Sequence, residues 1–196
     1  MRDDSLRRVL DAAYEGMLEQ GLRRLTMDDV ARRAGLSRVT VYRRFARKGE
    51  LIEAVLQREL RRFLRAFEQE LAPLPTTAER VVEGFALTLR LVRAHPLLTR
   101  LLATEPETIL PQLTVEAGPY VAVARRYLAE RLAGPAGGGA GSAEAEALAE
   151  TYVRVALSFV LTPDSAIPLR DAADARAYAR RHLVPLLSTE RDQLDL

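Results

Sequence analysis

The 196-residue chain has no cysteine. That excludes disulfides, thiolate metal sites and a cysteine nucleophile, and it fits a reducing compartment. Its two histidines, His95 and His182, are too few for an imidazole-rich metal cage, so no metal and no cofactor is expected. Long hydrophobic runs are missing too. The longest apolar stretches resemble Val155–Leu161, which contains Ser158, and fall far short of the roughly 20 residues of a membrane span. The opening MRDDSLRRVL is charged throughout and does not read as a secretory signal. A cytoplasmic protein without membrane contact is expected. Lysine is nearly absent: Lys48 is alone among 29 basic residues, the rest being arginine, a bias that points to a GC-rich genome.

What is present is globular in character, with 48% hydrophobic and 29% charged residues. The net charge of +2 hides an asymmetry: residues 1–65 hold 16 basic against 10 acidic side chains, and the remainder 13 against 17. A basic first third on an acidic remainder suggests two tasks, the first facing a polyanion. Helical spacing runs nearly everywhere. Leu6, Val9, Leu10, Ala13, Tyr14, Met17 and Leu18 make a first helix, with Gly21 at its C′ position. Further helices are predicted over Met27–Ala34, Arg38–Phe45, Gly49–Leu71, Thr77–His95, residues 97–103 and 120–133, Ala143–Leu161 and Asp171–Leu187. Residues 106–119 read as broken by Pro106, Pro111, Gly118 and Pro119. Five of the eleven glycines fall in Gly134–Ser142, which reads as a flexible surface loop. No strand run and no repeat is apparent, so the fold is read as all-α. Residues 1–48 are read as a helix-turn-helix domain and residues 49–196 as a larger helical domain, connected by the helix over about 49–71.

Residues 25–48 carry the chemistry. Thr26 and Asp29 have the spacing of a helix N-cap and its N3 acid, and Leu25 and Val30 the spacing of a hydrophobic staple. Gly35 stands where a left-handed turn needs no Cβ. Ser37 caps the next helix, with Leu36 and Val41 as a second staple. Two short capped helices around a glycine turn make a helix-turn-helix. The second of them carries Arg38, Arg43 and Arg44, followed by Arg47 and Lys48, and no acid occurs from Ala31 to Gly49. Such a helix fits a major groove, where guanidinium bonds guanine edges and phosphates. A cation at Lys48, the start of a long helix, opposes the helix dipole; a phosphate docked at that end would remove the conflict. The acids Asp28 and Asp29 are accounted for by the helix N-terminus.

The stretch Thr26–Leu51, with its A-R-R-A-G-L-S turn, T-V-Y-x-x-F and the Lys48–Leu51 helix entry, resembles the N-terminal domain of the TetR family of bacterial transcription regulators. The resemblance covers roughly residues 5–55. It implies three N-terminal helices on a larger all-α domain, a homodimer on a palindromic double-stranded DNA operator, and release by a small-molecule effector. It further implies Arg38, Val39, Thr40 and Arg43 as base-edge readers, and Thr26, Ser37, Tyr42, Arg44 and Lys48 as phosphate contacts. Thr26 and Ser37 would cap helices with or without DNA, and Tyr42 also suits half-buried packing. The tail VALSFVLTPDSAIPLRD…RRHLVPLL is more weakly similar to C-terminal domains of actinobacterial members.

A dimer interface is expected on the last two helices, through Leu148, Tyr152, Val155, Ala156 and Phe159 on one and Ala175, Tyr178, Ala179, His182 and Leu186 on the other. Phe85, Leu89, Leu102, Tyr120, Tyr127 and Phe159 are candidates to line a pocket for an apolar or aromatic effector, although such a stripe is also what plain core looks like. His95, before Pro96, reads as a helix-end residue. No nucleophile elbow, zinc-protease motif or phosphate loop is present, so no enzyme is expected. An all-α carrier or enzyme without DNA binding, and a nonspecific nucleoid-type binder, are the competing readings. The DNA-binding reading fails if the arginine-rich helix is covered by its own subunit, with Arg38 and Arg43 paired to carboxylates.

Overall fold

The computed structural model describes residues 2–132 and 143–187; the glycine-rich segment 134–142 lies outside the described residues. Among the described residues all regular structure is helical: α1 (Arg2–Arg24), α2 (Met27–Ala34), α3 (Arg38–Tyr42), α4 (Lys48–Leu71), α5 (Thr77–Arg93), α6 (Pro96–Thr104), α7 (Pro106–Leu113), α8 (Gly118–Leu132), α9 (Ala143–Leu161) and α10 (Ala172–Tyr178). A π turn (Ala179–Leu183) and a 3-10 turn (Val184–Leu187) follow. The single helix expected over Asp171–Leu187 is therefore three pieces. Val184 N–H reaches back five residues to Ala179 O, and Pro185 has no N–H with which to continue an α ladder. The prolines of 106–119 also act differently from expectation. Pro106 opens α7 and Pro119 lies in the first turn of α8, positions where the missing N–H has no helical partner to lose. Pro111 lies inside α7.

The chain divides into two compact units, Met1–Arg62 with His95–Ala117, and Phe63–Ala94 with Gly118–Leu196. The first unit thus contains α6 and α7 besides the N-terminal helices, and α4 supplies residues to both units. Its core is continuous: Val9, Ala13 and Met17 of α1, Val30 of α2, Val41 of α3, Leu51 and Val55 of α4, Leu101 of α6 and Ile109 of α7 are fully buried in one cluster. His95 is the N-cap of α6; its Nδ1 accepts from the Leu98 N–H at 3.3 Å. In the second unit Val82, Phe85, Ala86 and Leu89 of α5 pack with Tyr152 of α9, Ala175 of α10 and Leu183. Thr76 and Glu79 form a reciprocal capping box at the start of α5. Ala129, Ala145 and Ala149 are buried together where α8 meets α9, small side chains that let two helix backbones approach.

The α1 backbone breaks at Gly21, with φ 82° and ψ 176°. This is the extended positive-φ region open essentially to glycine alone, rather than the left-handed C′ conformation expected. The Glu105 carboxylate, from the α6–α7 corner, fills the space beside it and accepts from the Leu22 and Arg23 N–H groups at 3.0 and 3.1 Å. A Cβ on Gly21 would lie 1.7 Å from Glu105 Oε1. Gly21→Ala combines backbone strain with displacement of that carboxylate, so a loss of about 1–3 kcal/mol is expected, read as a lower midpoint in chemical denaturation of the purified protein.

Candidate nucleic-acid interface

The interface is built from ends and turns. Thr26 is extended (φ −115°, ψ 156°), and its hydroxyl accepts from the Asp29 N–H at 3.1 Å while donating to Asp29 Oδ2 at 2.6 Å. The Thr26 hydrogen bond, and after it the Arg32 guanidinium, hold the Asp29 carboxyl below the usual range against the opposing effect of desolvation. Leu25 and Val30 are both buried, as the staple requires. At the other end of α2, Gly35 is left-handed (φ 62°, ψ 38°). Its N–H bonds Arg32 O and the Leu36 N–H bonds Ala31 O, the paired bonds of a Schellman motif. Arg8 of α1 then donates to the carbonyls of Ala34 and Gly35. The turn between α2 and α3 is thereby tied on both sides.

Ser37 caps α3 (φ −70°, ψ 149°), its hydroxyl accepting from the Thr40 N–H at 3.2 Å. The α-helix ends at Tyr42 rather than Phe45, but the Arg43 N–H to Val39 O and Phe45 N–H to Val41 O bonds, both 3.0 Å, keep the backbone turning. Val41 and Phe45 are buried in the core of the unit. The opposite face is bare: Val39 is 74% exposed and Tyr42 48% exposed. A valine so exposed contributes nothing to the core, and beside a tyrosine and two arginines it forms a surface suited to contact with another molecule.

The cations of this face are in different states. Arg43 has no side-chain partner among the described residues. Arg38 Nη1 lies 2.9 Å from Asp28 Oδ2 of α2. Arg44 donates to Ser5 Oγ at 2.7 Å, which ties it to α1. Arg47 bonds Glu50 at 3.2 Å. Lys48 has partners that its own helix does not reveal: its Nζ donates to Leu22 O and Arg23 O at 3.0 and 3.3 Å. These are carbonyls at the end of α1, where a cation is favoured. Lys48 is therefore accounted for within the protein, and a docked phosphate is not needed to explain it. Of the two arginines whose pairing would count against DNA binding, one is paired, and it remains exposed. Asp28 is the residue that sequence reasoning missed: its acid lies ten positions from Arg38, and only the Gly35 turn brings the two together.

The other candidate residues do not form one group. Phe85, Leu89 and Phe159 share the main cluster of the second unit, where Phe85, Phe159 and Tyr178 form an aromatic trio with ring centroids 5.2–6.1 Å apart. Tyr127 belongs to a different cluster with Phe67, and its hydroxyl donates to Glu68. Tyr120 lies at the start of α8. Leu102 packs in the first unit. The expected dimer stripe is also divided. Tyr152, Ala175 and Ala179 are buried within their own subunit, and the Tyr152 hydroxyl donates to Leu183 O at 3.0 Å. Leu148, Val155, Ala156, Phe159 and Tyr178 are partly buried. His182 and Leu186 are exposed, the His182 ring lying 4.9 Å from that of Tyr178. Among the described residues no group of metal-ligating side chains occurs, and no helix is long and apolar enough to cross a membrane.

The caps are separable from any DNA contact by a measurement without DNA. Thr26→Ala and Ser37→Ala are each expected to cost about 1 kcal/mol, seen in denaturation of the free protein. Unchanged stability in both would leave the two hydroxyls without a structural role.

Comparison with known proteins agrees with this geometry. Residues 9–55 match the model for bacterial regulatory proteins of the tetR family, and residues 77–181 match the C-terminal domain of the bacterial tetracyclin repressor. An uncharacterised HTH-type transcriptional regulator of Mycobacterium tuberculosis is 30% identical over 181 residues, covering 92% of this chain and 84% of that protein. The HTH-type transcriptional activator FasR of Mycolicibacterium smegmatis is 34% identical over 87 residues, 43% of this chain and 40% of its own. The crystal structure of the TetR family repressor AlkX from Dietzia, implicated in biodegradation of n-alkanes, superposes with a TM-score of 0.72 at 26% identity, over 93% of this chain and 94% of that one. The chain belongs to the TetR family of helix-turn-helix transcriptional regulators and is a DNA-binding regulator, not an enzyme.

Proposed function

We propose that the protein is a repressor that binds a palindromic operator as a homodimer and is released by a small apolar or aromatic effector. The observation that carries the reading is the outer face of α3, which has no acid of its own, with Arg43 unpartnered among the described residues and Val39 exposed. Residues 1–48 take the DNA-binding task and residues 49–196 the effector and dimer tasks; this division is by task, whereas the compact units divide by packing. Arg38, Val39, Thr40 and Arg43 are assigned to base edges. Thr26, Ser37, Tyr42, Arg44 and Lys48 are assigned to phosphates, with Arg44 and Lys48 keeping their intramolecular bonds as positioning contacts. A cap hydroxyl that accepts from a helix N–H has one proton to offer a phosphate; that of Thr26 is given to Asp29 in the free protein, so a phosphate would have to take the place of Asp29 Oδ2.

One helix-turn-helix reads few base pairs, and a two-fold dimer joins two half-sites about 34–36 Å apart. The residues left for that interface are the partly buried and exposed members of the stripe: Leu148, Val155, Ala156, Phe159, Tyr178, His182 and Leu186. An apolar effector suits the aromatic and aliphatic interior of the second unit, around Phe85, Leu89 and Phe159. The association of AlkX with n-alkane degradation supports the same chemical class. Such an effector acts by binding more tightly to a conformation that holds DNA poorly. FasR, an activator, supplies the competing sign of regulation. Transcription from a promoter carrying the bound site decides it, repression lowering the output and activation raising it.

Selection of bound duplexes from a random pool is expected to return a palindrome. Arg43→Ala is then expected to lose about 1–3 kcal/mol on that duplex with little loss on random DNA. An equal loss on both would reduce Arg43 to a phosphate contact, and recovery of no preferred sequence would favour a nonspecific binder.

A further inference from the structure

Asp28 lies in the first turn of α2, where a negative charge suits the helix dipole, but that role requires no partner across the turn. Its only side-chain partner among the described residues is Arg38, at 2.9 Å, and that pair is open to water, with Arg38 72% and Asp28 39% exposed. Exposed pairs of this kind contribute little to stability. The first turn of α2 already has Asp29, which bonds the Thr26 cap and Arg32. Asp28 also carries a negative charge on the surface proposed to meet a polyanion, next to the bare face of α3, where it opposes attraction of phosphate. A carboxylate kept in such a place is explained if it acts on the arginine beside it.

We propose that Asp28 is a specificity-determining positioning residue that holds the Arg38 guanidinium for base readout. The inference rests on the DNA-binding reading given above. Arg38 is the first residue of α3, directly after the Ser37 cap, and recognition helices contact base edges mainly through their N-terminal residues. A free arginine there sweeps over many rotamers and finds phosphates as readily as bases. Bound through Nη1, it loses that freedom and keeps Nη2 and Nε for a two-point contact with the O6 and N7 of a guanine. The same carboxylate repels the phosphates that would otherwise capture the side chain. When the duplex excludes water, the pair strengthens because the local dielectric falls. Asp28 therefore weakens general DNA affinity and sharpens the preference for one base pair in each half-site.

The test uses the full-length protein, the duplex that wild type selects from a random pool, the same duplex with each base pair varied in turn, and a random-sequence duplex of equal length. Asp28→Asn keeps the size of the side chain and removes its charge. Binding to random DNA is expected to be unchanged or stronger, while the preference for the selected base pair at one symmetric position falls about five- to tenfold. Asp28→Glu, which retains the charge, is expected to restore part of it. On an Arg38→Ala background Asp28→Asn should alter the preference no further, because the effect passes through Arg38. Thermal denaturation of each variant separates this from a loss of folding. Equal strengthening on every duplex would make Asp28 a general electrostatic brake and overturn the proposal. So would an undiminished effect on the Arg38→Ala background. If wild type selects no sequence at all, the DNA-readout reading itself fails, a result distinct from sequence selection that Asp28 does not influence.

Discussion

A helix of five residues does not hold its shape alone in water, so α3 exists only because its ends and one face are tied down. Ser37 satisfies its first turn, and Val41 and Phe45 sink into the core. The left-handed Gly35 sets the direction in which the chain leaves α2. Each of these is a local device, and together they fix the exposed face of α3, the surface proposed above to meet DNA, in the free protein. A preformed surface binds without the entropy cost of ordering it.

The same ties organise the charges. The head carries an excess of basic side chains, and the structure sorts them by task. Arg8 and Lys48 point inward onto helix-end carbonyls, Arg44 is held to α1 through Ser5, and Arg32 and Arg47 are paired with nearby acids. Arg43 is left without such a partner among the described residues, and Arg38 is held by an acid at the surface. A basic segment therefore does not act as a uniform positive patch. Most of the cations named are held by partners within the protein, and the base-reading role proposed above falls to the few on the outer face of α3. Glu105 adds a further tie, bringing the α6–α7 corner against the end of α1 where Lys48 also bonds.

Much of this was legible in the residues because the devices are local. The Thr26 and Ser37 caps, both hydrophobic staples and the glycine turn each depend on spacings of a few positions, and spacing is what a sequence displays directly. The helix periods follow from the same fact. Contacts between distant residues were not legible. Lys48 looked misplaced because only its own helix could be considered, whereas the carbonyls it meets belong to residues 22 and 23. Asp28 looked fully explained by its helix end because its partner lies across a turn. Leu102, grouped with Phe85 by composition, packs in the other unit, since helical periodicity tells which face is apolar and not what covers it. Proline signals misled in part because position decides their effect: in a first turn proline starts a helix.

The central claim is that α3 stands ready, uncovered in the free protein and covered when DNA binds. The absence of cysteine makes a direct measurement simple, because Val39→Cys would carry the only thiol in the chain. Its alkylation rate should be close to that of an unhindered thiol in the free protein and strongly suppressed by the selected duplex, with weaker suppression by random DNA. Slow labelling of the free protein, or labelling unaffected by saturating DNA, would contradict the account.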